Sequence, residues 1–258
     1  MSPEPARRTF HYHACAHAFS ANFTRPFHHQ IDIQAQSALP VIGGHGHARV
    51  DNFEFRNFIS FAKGYSHVSG GHQADDDSNN TLATAVLENL NMFDVLTADR
   101  VVSRLYSKHP PNATEGNITW VGSKFENLRV AGCPVELELN HDVFEKLLTF
   151  KDAQTAFEKG GDFRKIAEDP LCTGQKLKPA NVDGVFLCSI VKKIKADCPG
   201  VKVDGHSLYV HGFGRVFLGE LLIKNGEKTL TMLRFELGST TSGGGSGGGT
   251  KTNGRPYP

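Results

Sequence analysis

Strand-length segments of alternating polar and apolar residues run through almost the whole chain and limit its possible folds more than any other feature. In the segment 30–36, the odd positions are apolar or small and the even positions are polar. This alternation is typical of strands with one buried and one solvated face, as in antiparallel sheets. The sequence therefore predicts a mainly β protein, an antiparallel sandwich or barrel-like structure.

The predicted strands are separated by clusters of Gly, Pro, Asn and Asp, which favour turns. Asn225-Gly226 between two apolar runs predicts a tight hairpin, because both residues tolerate positive φ. Within 47–61, Phe53, Phe55, Ile59 and Phe61 share one parity and would form one core face. The predicted strands are 29–39, 47–61, 65–70, 81–92, 97–107, 117–130, 133–139, 185–194, 202–210, 214–224 and 228–238.

A short two-helix insertion is predicted at 141–168, where the alternation stops. Asn140 is a suitable N-cap, and Gly160-Gly161 divides the segment into two helices. Pro170 would end the second helix. We expect the insertion to cover an open end or face of the sheet structure rather than to act as a functional lid.

The two ends of the chain differ in composition from the middle. Residues 1–26 carry three prolines and predict an N-terminal arm, while 27–238 would form a single β-rich domain. Residues 239–258 contain the run Gly-Gly-Gly-Ser-Gly-Gly-Gly, which is typical of a flexible linker. Since this composition does not order itself, an ordered tail would indicate that another chain binds it.

The charge balance bears on possible partners. The 28 Lys and Arg residues offset the 27 Asp and Glu residues, which leaves a formal net charge of +1. This balance lacks the basic footprint of a nucleic-acid binder, and it gives a monomer little protection against self-association. We therefore expect no nucleic-acid partner and a homo-oligomer. The sequence contains no run of about 18 apolar residues, so no membrane span is predicted.

The five cysteines, Cys15, Cys133, Cys172, Cys188 and Cys198, are odd in number and form no Cys-x-x-Cys pair. Idle thiols in a reducing compartment are the favoured interpretation, and Cys172–Cys188 or Cys188–Cys198 disulfides in an exported protein are the alternative. The first segment lacks the apolar core of an export signal. A cytoplasmic location is therefore favoured slightly over an exported one.

The densest group of potential metal ligands is His11, His13, Cys15 and His17. In an extended strand, all four side chains would point to one face. Imidazole and thiolate suit zinc or copper, so this row is the candidate metal site. The alternative is an exposed or packed histidine-rich arm, because successive ligands on one straight strand wrap poorly around a tetrahedral ion. No other cofactor is predicted.

No catalytic residue or cofactor-binding motif is assigned. His211-Gly212-Phe213-Gly214 is similar to the oxyanion loop of lipases, but the chain has no Gly-x-Ser-x-Gly elbow, so a strand-connecting turn is expected. Charged residues inside predicted strands favour cross-strand ion pairs over paired catalytic carboxylates. In particular, Glu220 and Arg234 lie on opposite arms of the predicted hairpin and are expected to pair.

Several stretches of the chain carry a family resemblance: 87–102, with Leu-Thr-Ala-Asp, 123–132, with Asn-Leu-Arg-Val-Ala-Gly, and the segments 217–220 and 230–238. They resemble segments of uncharacterised bacterial β-rich proteins. The Thr-Ala-Asp and Asn-Leu-x-Val-x-Gly elements are more distantly similar to choice-of-anchor P surface domains. The resemblance implies a bacterial β-rich protein without an assigned reaction, and it transfers no active site. We expect the chain to depart from the anchored relatives by lacking a signal peptide and a hydrophobic sorting tail.

Two classes of function follow. The favoured class is a non-enzymatic structural or self-associating protein, since catalytic motifs are missing and extended arms and strand edges suit contact with a neighbour. The alternative is a metal- or small-ligand-binding β-barrel module, possibly an uncharacterised enzyme, with a pocket at the barrel mouth.

Overall fold

A computed structural model describes residues 9–169, 184–238 and 241–256. Strand makes up 63% and helix 9% of the structure, and the antiparallel sheets pack as a sandwich without closing into a barrel within the described residues. The predicted mainly β, antiparallel fold is therefore confirmed, in its sandwich form. In the described part of the chain, no helix is long and apolar enough to cross a membrane.

The first twelve strands precede the helices. They are β1 (Phe10–Arg25), β2 (His29–Gln34), β3 (Ser37–Ala38), β4 (Gly44–Phe55), β5 (Ile59–Gln73), β6 (Ser78–Met92), β7 (Leu96–His109), β8 (Asn117–Thr119), β9 (Lys124–Glu126), β10 (Arg129–Val130), β11 (Cys133–Pro134) and β12 (Glu136–Leu139). The helices are α1 (His141–Phe144), α2 (Phe150–Lys159) and α3 (Asp162–Glu168). The later strands are β13 (Phe186–Ser189), β14 (Val191–Lys195), β15 (Val201–Asp204), β16 (Ser207–Val210), β17 (Gly214–Lys224), β18 (Glu227–Leu237) and β19 (Ser242–Pro256).

Two sheets form the sandwich. Sheet A has the strand order β15-β16-β17-β18-β19-β1-β2, with β13 paired to β17 and β3 to β1. Sheet B has the order β11-β10-β7-β6-β5-β4, with β8 and β9 paired to β7. A two-stranded β12–β14 ribbon lies outside both. The main core fills the space between the sheets, where Phe19, Leu87, Val101 and Phe235 are fully buried.

The N-terminal segment is not the predicted arm, because residues 10–25 form β1 and pair with β19 on one side and β2 on the other. Tyr12, Ala14, Ala16 and Ala18 are buried. The alanines alternate with polar residues, as expected for a strand. Because alanine is small and weakly apolar, this strand pattern was hard to recognise in the sequence. Residues 1–8 lie outside the described part of the chain.

The Gly/Ser-rich tail is likewise a strand, contrary to the predicted flexible linker. β19 pairs with β1 along one edge and with β18 along the other. The backbone of β19 is therefore hydrogen-bonded on both sides by strands of its own chain, so its order requires no second chain. Glycine has no side chain that could contribute to this order, so the neighbouring strands supply it.

The predicted strand 47–61 is in fact two strands. Residues 56–58 form a turn between β4 and β5, and Arg56 has a φ of 52°. Phe53 opposes Phe61 and Phe55 opposes Ile59, so the shared face is formed across a hairpin rather than along one strand. The Asn225-Gly226 hairpin is confirmed, since Lys224 pairs with Glu227 across it.

The helical insertion contains three helices rather than two, with the predicted break at Gly160-Gly161. Asn140 stands at the N-cap of α1 but makes no side-chain capping hydrogen bond. Thr149 and Asp152 instead form a reciprocal capping box at α2. Phe150, Phe157 and Phe163 of this insertion pack on Phe186 of β13, so it covers one face of sheet A as expected. Pro170 lies outside the described residues.

A disulfide joins Cys133 to Cys198, whose Cα atoms are 5.9 Å apart. The predicted Cys188–Cys198 alternative is therefore wrong, while Cys15 and Cys188 are free thiols. Cys172 lies outside the described residues. Because disulfides persist in oxidising compartments, the bond argues against the reducing environment that the odd cysteine count suggested.

Candidate functional site

The predicted metal row lies on the outer face of β1. His11 and His13 are exposed and Cys15 and His17 are half-buried, while the intervening residues are buried. The four side chains therefore share one face, as the sequence predicted. However, alternate residues of a strand are about 6.6–6.8 Å apart, so the row is too extended for all four side chains to reach one ion. In the described part of the chain, no group of three or more His, Cys, Asp or Glu residues could hold a metal ion.

The inner members of this row have structural roles. Burial lowers the pKa of His17, whose ring lies over the α-carbon of Gly249 on the neighbouring strand. Burial raises the pKa of the Cys15 thiol, an effect that Lys251 partly offsets. Both shifts favour the neutral form of the side chain. The row is better explained as the outer face of a paired strand than as a metal centre.

The edge strand β4 presents one side of its backbone at an end of sheet B. It is the last strand of sheet B and pairs with β5 along one side. Its other side has no strand partner within the described residues, although the Ala38 carbonyl of β3 approaches it at Gly46. An unpaired edge presents a row of N–H and C=O groups that can accept another strand.

The side chains of β4 divide into two faces. On the outer face, His45, His47, Arg49 and Asp51 are exposed. On the inner face, the apolar residues are only half-buried, because β4 has a neighbouring strand on one side alone. These half-buried residues are Ala48, Val50, Phe53 and Phe55.

Arg49 and Asp51 form an ion pair within β4. Arg49 Nη2 is 2.8 Å from Asp51 Oδ1, and Arg49 Nε donates to the same oxygen at 2.9 Å. This hydrogen bond raises the pKa of Arg49. Residues two apart in a strand point to the same side, so the pair is available at the sheet edge. Exposed pairs of this kind contribute little to stability, typically below about 1 kcal/mol.

A row of alternating charge crosses the outer face of sheet B and ends at this edge. Lys63 Nζ and Arg100 Nε each lie 3.8 Å from a carboxylate oxygen of Glu88. Arg100 also donates to the Tyr65 hydroxyl at 2.9 Å. The alternation stops at a negative charge on β4, where the next position of the row would suit a cation. In strand order, the row is Asp51, Lys63, Glu88, Arg100 and Glu126.

A second polar cluster lies on the outer face of sheet A and contains the predicted Glu220–Arg234 pair. Arg234 Nε and Nη2 donate to the two Glu220 oxygens at 2.6 and 2.9 Å, which confirms the cross-strand pairing. Arg234 Nη1 donates to Glu236, and its guanidinium carbon lies 3.7 Å from the Phe217 ring centroid. His206 Nε2 lies 3.8 Å from Glu220.

The electrostatics of this cluster oppose a role for Glu220 as a catalytic base. Burial alone would raise the pKa of Glu220, but hydrogen bonds from Arg234 and His206 lower it below its ordinary value. A carboxylate held in its charged form by a bidentate arginine is a weak proton acceptor. The cluster is therefore suited to binding and stability rather than to acid–base chemistry.

Comparison with protein families matches residues 10–178 and 172–224 to a domain of unknown function, DUF8256. The chain belongs to this family. The family description assigns no activity. Neither the curated proteins nor the solved structures give a significant match. The resemblance to choice-of-anchor P surface domains stays a prediction.

Sequence reasoning missed the edge at β4 because it merged β4 and β5 into one strand. A signal was nevertheless present. Arg56-Asn57 interrupts an otherwise apolar and aromatic alternation, and polar residues at such a point favour a turn.

Proposed function

We propose that this protein is a non-enzymatic, self-associating β-sandwich, two copies of which join through β4. The observation that carries the proposal is a twelve-residue edge strand with no strand partner among the described residues. Pairing with a second copy would satisfy its outward backbone groups and cover its half-buried apolar face.

The charges of β4 select one arrangement. In an antiparallel pair with a two-fold axis at Val50, Arg49 of one copy opposes Asp51 of the other, and the reverse holds as well. A second copy's Arg49 would also supply the cation that continues the alternating row beyond Asp51. Charges on an edge strand normally oppose pairing. In this protein, the charges of Arg49 and Asp51 would oppose most registers and favour the register centred on Val50. Opposing the wrong pairings in this way makes the association specific.

Two charge variants test both the association and its register. We expect the wild-type chain to have twice its 28.2 kDa mass by size-exclusion chromatography with light scattering. Arg49→Asp and Asp51→Arg each place like charges opposite one another, so each variant alone should dimerise at least tenfold more weakly. An equimolar mixture should recover the dimer, because the doubly acidic edge of the first variant then faces the doubly basic edge of the second.

The mixture also provides the control for folding. Each variant loses its internal Arg49–Asp51 pair, and mixing cannot restore that pair, so recovery reports the interface alone. A wild-type chain that stays monomeric at 10 and 200 μM would overturn self-association. Dimers that persist in both variants would retain self-association and overturn the register.

A second candidate function, small-ligand binding, is favoured by a different observation. An open trough of about 530 Å³ lies on the outer face of sheet A, across β18, β19, β1 and β2. Metal binding is the other form of this function. The row of His11, His13, Cys15 and His17 supports it less well than the trough supports small-ligand binding.

A further inference from the structure

The trough crosses four strands of sheet A where the glycine-rich strand β19 runs between larger neighbours. Gly244 is flanked by Asn22 on β1 and Glu236 on β18, and Asn22 in turn opposes Gln30 on β2. Gly244 has no side chain, so the floor between Asn22 and Glu236 is bare backbone. The next row of cross-strand partners is Ser20, Ser246 and Arg234. Its two serines are small, so this part of the sheet surface is also low.

The volume of the trough is about 530 Å³. Sites for small ligands typically enclose about 300–1,000 Å³, so the trough is large enough for a ligand of several rings. Ile33 lies at the margin with 51% of its surface exposed, which provides an apolar patch beside the polar walls.

The charged groups at the trough are already matched within the chain. Arg234 donates to both oxygens of Glu220 and to Glu236, so its positive charge is offset by two carboxylates. An anionic ligand would meet those carboxylates, and a cationic ligand would have to compete with the arginine. The trough therefore favours a neutral ligand.

The floor of the trough cannot pair with a peptide backbone. β19 is hydrogen-bonded to β1 on one side and to β18 on the other. Extended peptides are usually held by main-chain hydrogen bonds to a sheet edge, and this strand has no open edge. Recognition at this floor therefore has to come from side chains.

Four neutral side chains are available for that recognition. Ser20, Asn22, Gln30 and Ser246 line the trough, and none of them has a side-chain hydrogen bond to another described residue. Hydroxyl and amide groups both donate and accept hydrogen bonds, as sugar hydroxyls do. Unlike charged groups, they incur a small desolvation penalty when they exchange water for such a ligand.

We propose that this trough binds a neutral oligosaccharide. The amides of Asn22 and Gln30 and the hydroxyls of Ser20 and Ser246 contact the sugar hydroxyls, and Ile33 packs against a C–H face of a sugar ring. No residue of β4 lines the trough, so a monomeric β4 variant is expected to retain this site.

The test is a printed array of neutral and anionic oligosaccharides, followed by calorimetry with the best neutral hexasaccharide. The wild-type chain should bind neutral glycans. Asn22→Ala with Gln30→Ala removes two amides, and Asn22→Trp fills the trough, so each change should weaken binding at least tenfold. His13→Ala alters the same face of β1 outside the trough and should leave the affinity unchanged.

All the altered side chains are exposed, so we expect the variants to fold. Circular dichroism and thermal unfolding verify this. Several outcomes overturn the proposal: no binding to any neutral glycan at 1 mM, binding to anionic glycans alone, or binding that the trough variants do not change. Capture of extended peptides in place of glycans would also overturn it. The titration is repeated with Arg49→Asp, which is expected to weaken self-association but to leave the trough unchanged. A failure of this site can then be told apart from a failure of self-association.

Discussion

Lys228 shows how one residue can connect three parts of the fold. It lies on the inner face of β18 with 3% of its surface exposed. Its Nζ donates to the Ile118 carbonyl at 2.8 Å and to the Leu147 carbonyl. These bonds tie β8 and the segment before α2 to sheet A. Burial lowers the pKa of Lys228 from 10.5 to about 8.

This shift predicts a pH dependence of stability. Between pH 8 and 10.5, the unfolded chain keeps a proton on Lys228 that the folded chain has released. The free energy of unfolding therefore rises with pH across this window, by up to about 3 kcal/mol from this residue. Lys228→Met should remove that rise in urea unfolding at pH 7.5, 9 and 10.5. Exposed Lys224→Met on the same hairpin is the matched control.

An equal rise in wild type and Lys228→Met would contradict this assignment. Local sequence could place Lys228 on the inner face, because it shares parity with Leu230 and Met232. It could not supply the two carbonyl acceptors, because they lie on segments 81 and 110 residues away.

At the scale of elements, β19 is the clearest departure from expectation. A linker composition was expected to be flexible, yet glycine is required where neighbouring groups approach the backbone closely. A Cβ on Gly245 would lie 2.5 Å from the Ser20 carbonyl oxygen, and one on Gly247 would lie 2.8 Å from Leu87 of sheet B. The glycines thus allow close packing of neighbouring strands and of the opposite sheet.

Gly245→Ala should therefore destabilise the fold by about 2–3 kcal/mol, because the clash is with backbone that cannot move aside. Ser246→Ala, at the next position on the outer face, should change stability by less than about 0.5 kcal/mol. Thermal and urea unfolding measure both. Gly249→Ala meets the His17 ring instead, so His17→Ala should relieve it. Equal stability of Gly245→Ala and Ser246→Ala would refute the close-packing role.

Strand alternation is interrupted by a row of irregular positions across sheet A. The regular pairing skips Ala18, Gly248, Met232 and Gly219, which lie beside one another on β1, β19, β18 and β17. Buried positions change parity here, as from Ala16 and Ala18 to Phe19 and Ala21. β17 changes parity in the same way, from Val216 and Leu218 to Leu221 and Ile223.

At the scale of the whole molecule, the disulfide connects the two sheets at one side of the sandwich. Cys133 belongs to β11 at an end of sheet B, and Cys198 precedes β15 at an end of sheet A. The bond spans a sequence separation of 65 residues. A cross-link that closes a long loop restricts the unfolded chain and so favours the folded one.

Replacing Cys133 and Cys198 together with serine should lower the free energy of unfolding by about 3–4 kcal/mol. Urea unfolding under non-reducing conditions measures the loss, and Cys15→Ser, which removes a free thiol, is the control. An unchanged unfolding midpoint in the double variant would show that the bond adds no constraint.

The alternation of side chains by itself determined the β class, the antiparallel pairing, the Asn225-Gly226 hairpin and the shared face of His11, His13, Cys15 and His17, because these depend on neighbours in the chain. Only the tertiary structure decided that the glycine tail is a central strand and that Cys133 bonds Cys198. It also decided that β4 is an unpaired edge and that a trough lies over Gly244. Each of these depends on which distant segment supplies hydrogen bonds or fills space beside a residue, and local composition carries no record of that.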